Sequence, residues 1–174
     1  MPFNEYVPLK KILQNKMPQL PNFQRMFQII DDVFATREDP DQLQVDEEVI
    51  KKLTEIHPAC LSELADENGP VIWALMIPTT ENVMNDFLAG KISERELLDE
   101  THSGEKFTCL YLCSVTTLPE YRQKGETKKI CLDAIQKICS NFPIATLYVW
   151  AFTPEGESLA KKLAADSGLA LKMR

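Results

Sequence analysis

The sequence lacks a membrane-length apolar run, a cysteine framework and a basic surface, and it has only two histidines. None of its apolar stretches approaches the roughly 20 residues that span a bilayer. Its opening residues, MPFNEYVPLKK, have neither the apolar core nor the cleavage pattern of a secretory leader. A cytoplasmic protein with no membrane partner is therefore expected. Acidic residues outnumber basic ones, 26 to 19, giving a formal net charge of -7. That balance argues against non-specific nucleic-acid binding, which depends on a cationic surface displacing counterions, and it leans toward a neutral or cationic partner. Repeats, low-complexity tracts and linkers are also missing, so one domain over residues 1–174 is expected, a length that suits a single core.

The five cysteines (Cys60, Cys109, Cys113, Cys131 and Cys139) are odd in number and widely spaced. Cys109 and Cys113 could open a metal site, but their only histidine helpers, His57 and His102, stand in no ligand-spaced motif. Four of the five lie in apolar segments, where a thiol packs as a small hydrophobe. Core packing is expected, with no metal.

Residues 1–56 read as helical. An amphipathic helix is expected over residues 9–17, stopped by Pro18. A second begins at Pro21-Asn22, with Asn22 as N-cap and Phe23, Met26, Phe27, Ile30, Val33 and Phe34 at helical spacing. Residues 37–44, carrying Asp-Pro-Asp, break it. Asp46 then caps a helix that buries Val49, Ile50, Leu53 and Ile56. Strand-like runs over residues 60–65 and 71–77 are joined through Glu67-Asn68-Gly69, a hairpin signal. Residues 81–101 form a helical insertion within the antiparallel part, residues 60–118. One helix there ends at Gly90, and a second covers residues 94–99 behind a Ser93/Glu96 capping box.

The second half is more regular. Residues 107–116 are apolar and rich in aromatic and β-branched types, as a buried central strand requires. A helix follows from about Gly125, burying Ile130, Cys131, Ala134, Ile135 and Ile138. Residues 145–151 form a parallel strand, closing a β-α-β unit over residues 107–151. Thr153 caps the next helix with Pro154 at its first position; Leu159, Leu163, Ala160 and Ala164 make its buried side. Gly168 ends that helix, and residues 169–171 make a short last strand. The expected class is α/β with a mixed sheet, an antiparallel hairpin plus a β-α-β unit, and helices on both faces.

Between the buried strand and its helix lie residues 119–127, PEYRQKGET. A helix N-terminus offers unpaired backbone N–H groups and the positive end of the macrodipole, a seat for phosphate. Gly125 lets the backbone approach a ligand. Arg122, Lys124, Lys128 and Lys129 concentrate positive charge on an otherwise acidic chain, and Thr127 adds a hydroxyl. The bland alternative is a solvated basic helix end.

The run YLCSVTTLPEYRQKGET, residues 111–127, resembles the signature of the GNAT superfamily of acyl-CoA-dependent N-acyltransferases. There a strand leads through a Pro-x-x-Arg turn to R/Q-x-x-G-x-G/A at a helix start, matched here by Arg122, Gly125 and Thr127. The order of elements extends the resemblance over most of the chain. It implies acetyl-CoA as cosubstrate, its pyrophosphate held by backbone amides from Gln123 through Lys124, Gly125 and Glu126 to Thr127. It also implies that the pantetheine arm pairs with the strand edge around Val115 and Thr117. The thioester would sit where that strand splays from residues 145–151, and Thr153 would make a polar pantetheine contact.

Three features depart from the family pattern. Thr127 brings a branched side chain where Gly or Ala is usual, the last helix has no tyrosine to protonate the departing thiolate, and no final pair of strands follows. Either a partner subunit, a second copy included, completes that sheet edge, or the sheet is simply short.

Transfer to an amine needs a base and donors for the oxyanion. The candidates are Glu63 and Glu81 near the hairpin, Tyr111 and Tyr148 on the central strands, and His57 or His102. The expected function is an acetyl-CoA-dependent N-acetyltransferase acting on an amine of unidentified acceptor. The alternatives are a catalytically degenerate acyl-CoA-binding or regulatory module, and a protein-interaction fold without CoA.

Overall fold

A two-residue turn, Glu67-Asn68, joins β1 (Leu61–Asp66) to β2 (Gly69–Thr79), which pair antiparallel with Leu61 opposite Leu75 and Glu63 opposite Trp73. The computed structural model describes residues 21–37 and 42–174. The helix expected over residues 9–17 lies outside them, as do residues 38–41 of the break expected at 37–44 and the side chains of Val33 and Phe34.

The strand β3 (Cys109–Thr117) adds antiparallel to β2; β4 (Thr146–Val149) and β5 (Ala170–Met173) then add parallel. The result is one mixed sheet of five strands in the order β1-β2-β3-β4-β5. The class is α/β, as the alternation of strand and helix signals implied. Alternation along β2 sends Ile72, Ala74 and Met76 to one face and Trp73, Leu75 and Ile77 to the other. All but Trp73 are buried, so both faces of this strand are covered.

The helix α1 (Pro21–Arg37) lays Phe23 and Phe27 against Trp73, with ring centroids 6.0 and 5.6 Å away, and buries Met26 fully. Burying such a side chain stabilises by about 1.5–3 kcal/mol. Asn22 is not its N-cap, because the helix already begins at Pro21. Instead the Asn22 amide nitrogen donates to Asp66 Oδ1 (2.9 Å) and to the Gly69 carbonyl (3.3 Å), tying α1 to the hairpin.

The other cap assignments hold because they depend on neighbours three residues away. Asp46 accepts from the Val49 N–H at the start of α2 (Glu47–Ile56). Thr80, a cap not expected from the sequence, likewise accepts from the Val83 N–H at the start of α3 (Glu81–Leu88). Ser93 and Glu96 form a reciprocal capping box on α4 (Glu94–Asp99). Thr153 accepts from Gly156 N–H (3.0 Å) at α6 (Pro154–Ser167), with Pro154 in the first turn.

The helix α5 (Glu126–Asn141) buries Cys131, Ala134, Ile135 and Ile138, as its periodicity required, and packs against α6. Ile130, Ile50 and Leu159, expected in the core, are half-buried. One continuous cluster of buried side chains runs from Leu43 to Ala164. No described helix is long and apolar enough to cross a membrane.

Candidate functional site

β3 is longer than its parallel neighbour. Pairing with β4 stops at Leu112 opposite Val149, while pairing with β2 continues to Thr117 opposite Ile72. Along β2 the register passes from Leu75 opposite Ser114 to Met76 opposite Leu112, so Cys113 is an extra residue on β3. Such a bulge bends and twists its strand, and it falls where β3 parts from β4. Beyond it, residues 113–117 pair with no described strand on the flank away from β2. Val115 lies on this stretch and is exposed, whereas Thr117 is buried.

From Thr117 the chain passes through a single 3-10 turn (Pro119–Tyr121) into α5. Gln123 has φ 60° and Gly125 has φ 81°, two left-handed residues within three positions. Gly125 is the N-cap of α5 and supplies no side chain to it, so the first-turn N–H groups have no side-chain cap.

The basic residues are partly committed within the fold. Arg122 Nε donates to the Thr117 carbonyl (3.1 Å), Lys128 pairs with Asp166 (2.8 Å), and Lys124 lies 5.7 Å over the Tyr121 ring. The Thr127 hydroxyl lies 3.0 Å from that of Thr117. It therefore joins the end of the strand to the start of the helix. Glu126 is half-buried in the first turn, and Thr153, exposed, spends its hydroxyl on the α6 cap.

Two anchors hold the turn from the side of α1. Arg25 grips Glu120 in a two-pronged ion pair, 2.6 and 2.7 Å, which holds the Glu120 carboxyl down at about 2. Tyr121 donates its hydroxyl to Asp66 Oδ2 (2.7 Å), and the same carboxylate accepts from Asn22 and from the Asn68 N–H. Hydrogen bonding to Asp66 raises the Tyr121 phenol above its ordinary value.

The chain matches no family model, no curated protein and no solved structure.

The acid–base candidates are dispersed. Tyr111 and Tyr148 are cross-strand partners with rings 5.0 Å apart, and both are fully buried. The Tyr111 hydroxyl donates to Glu94 Oε1 (2.5 Å), and the Tyr148 hydroxyl meets that of Thr79 (2.8 Å). Burial pushes both phenols well up, so their ionised forms are out of reach near neutral pH. Glu63 is exposed on β1, two strands away from β3, and accepts from the Trp73 indole N–H (2.6 Å). His57 accepts the Ala59 N–H on Nδ1 and places Nε2 3.0 Å from Asn141, a cap role between α2 and the following turn. His102 sits in the loop before β3, its backbone N–H held by Glu105. The structure thus gathers Val115, Thr117, Arg122, Gln123, Lys124, Gly125, Glu126 and Thr127 along one path. Glu63, Tyr111 and Tyr148 lie off it.

The cysteines behave as expected of core thiols. Cys60, Cys109 and Cys131 are buried, Cys113 and Cys139 are half-buried, and none of the five is in a disulfide. No cluster of three or more potential metal ligands occurs among the described residues.

Proposed function

We propose that the protein binds acetyl-CoA along the unpaired flank of β3 and transfers its acetyl group to an amine, in the manner of the GNAT superfamily. The observation that carries this reading is a continuity. Five residues of β3 with no described strand on the flank away from β2 lead into a left-handed turn and the N-terminus of α5, which has no side-chain cap. An extended, amide-bearing arm with a pyrophosphate at its far end has this pattern of needs. The backbone groups of residues 113–117 would pair with the pantetheine amides. The first-turn N–H groups of α5, with the macrodipole behind them, would hold the phosphates, and Arg122 and Lys124 would add charge at the rim.

In this arrangement the thioester lies where β3 and β4 part. The acceptor amine must lose a proton as it attacks the carbonyl carbon, the tetrahedral oxyanion needs a donor, and the C–S bond then breaks to release the thiolate. Cysteines outside any disulfide fit a reducing compartment such as the cytoplasm.

A second reading, a binding or regulatory module without turnover, is favoured by the engagement of Glu63, Tyr111 and Tyr148 elsewhere in the fold.

Thermal unfolding with and without acetyl-CoA tests the binding step. Ligand at a hundred times its dissociation constant adds about 2.7 kcal/mol, and a domain of this size gains about 2–4 °C per kcal/mol. No shift at millimolar acetyl-CoA would reject both readings. A shift without CoA release across a broad amine panel would select the second.

A further inference from the structure

The first residue past β4 is Trp150, at the mouth of the gap between β3 and β4. Its ring lies 6.0 Å from Phe87 at the end of α3 and 4.5 Å from Phe152. The guanidinium of Arg174 enters this aromatic corner, its central carbon 4.2 Å over the Trp150 ring and 4.7 Å over the Phe87 ring. Gly90 leaves the space open on another side: a Cβ there would stand 3.5 Å from Arg174 Nη2. The Arg174 backbone is fixed by its N–H to the Val149 carbonyl (3.0 Å), so the side chain departs from a defined point.

The guanidinium is held by the rings rather than by hydrogen bonds at its buried end. Arg174 Nη1 is buried and has no hydrogen-bond partner among the described residues. A buried charged donor without an acceptor is costly, whereas the negative faces of Trp and Phe attract any cation centred over them. This corner therefore selects by charge and shape, with its present occupant only partly satisfied. The net charge of -7 adds a field that draws cations toward the molecule.

We propose that the corner formed by Phe87, Gly90 and Trp150 is a binding subsite for an alkylguanidinium group, and that Arg174 occupies it here in place of such a ligand. Arg174 then acts as an internal competitor, which an arginine-like ligand displaces. Taken with acetyl transfer, which this extension rests on, the subsite adjoins the gap that would hold the thioester and selects an acceptor amine that also carries a guanidinium. Binding to the corner is measurable without acetyl-CoA, so its failure and the failure of acetyl transfer are separate results.

The test is a titration of the Arg174→Ala protein with butylguanidinium, following the Gly90 and Trp150 amides and the Trp150 indole by NMR. Saturable shifts at these positions are expected, and butylurea, of the same shape but uncharged, should bind about tenfold more weakly or worse. Wild-type protein should also bind butylguanidinium more weakly than the variant, and adding Trp150→Ala should abolish binding. Equal responses to butylguanidinium and butylurea, or no saturation in Arg174→Ala, would overturn the proposal. Should Arg174→Ala not fold, Arg174→Gln keeps the packing arm without the charge, and the same two outcomes decide on that protein.

Discussion

At the scale of single residues, Gly125 is the clearest case of backbone conformation setting residue type. Its φ of 81° is left-handed, and a Cβ placed on it would meet no atom within 4 Å. Substitution is therefore penalised by local backbone energy alone, with no clash to relieve. Gly125→Ala should cost about 1–2 kcal/mol, and Gly125→Asn less, since Asn tolerates this region better. Thermal unfolding of the two variants checks the order; equal losses would point to a missing contact rather than to conformation. Thr127 shows the complementary lesson. Its hydroxyl faces Thr117 at 3.0 Å, so its place in the turn is structural even where the neighbouring amides are available to a ligand.

At the scale of elements, α1 is coupled to the turn before α5 through side chains distant in sequence. Arg25 holds Glu120, and Asp66 gathers Asn22, Asn68 and Tyr121. The Glu120 carboxyl is lowered from its ordinary 4.5 to about 2, chiefly by its hydrogen bonds to Arg25. A carboxyl held down by folding contributes fully above its unfolded value and loses that contribution as pH falls toward the folded one. The melting temperature of wild type should therefore exceed that of Glu120→Gln above pH 4.5, and the gap should close between 4.5 and about 2. A gap independent of pH would mean that the carboxylate's charge is not what Arg25 uses.

Legibility in the sequence follows the range of each interaction. The Ser93/Glu96 box, the Thr153-Pro154 start and the reversal through Glu67-Asn68-Gly69 are all readable because the partners are three residues apart or fewer. The strand-turn-helix path of the candidate site was readable for the same reason. Asn22 has the residue type of a cap but its partner, Asp66, lies 44 positions away. The hydroxyl partners of Tyr111 and Tyr148 are 17 and 69 positions away, and so were invisible to any local pattern. The corner around Trp150 gave no signal at all, since its members meet only once the sheet is assembled.

For the whole molecule, the cysteines report how the fold opens. Desolvation pushes the Cys60 and Cys131 thiols up to about 12, far from the reactive thiolate form near neutral pH. A thiol reagent at pH 8 should label half-buried Cys113 and Cys139 first. Cys60 and Cys131 should follow only at the rate of global opening, as mass spectrometry of the labelled peptides would show. Fast labelling of Cys131 in folded protein would mean that α5 detaches on its own.

The sheet order β1-β2-β3-β4-β5 has a kinetic side as well. Each strand lies beside the one made just before it, so no strand must wait for a later segment to be inserted between earlier ones. A chain emerging from the ribosome can close the β1–β2 hairpin, add β3, and then wind on β4 and β5 after their intervening helices. The closures β2 to β3, β3 to β4 and β4 to β5 each span at least one helix and carry more loop entropy than the hairpin, so they are the slow steps. Until β4 arrives, β3 exposes its full outer edge to the surroundings; once β4 has docked, the stretch past Leu112 still does.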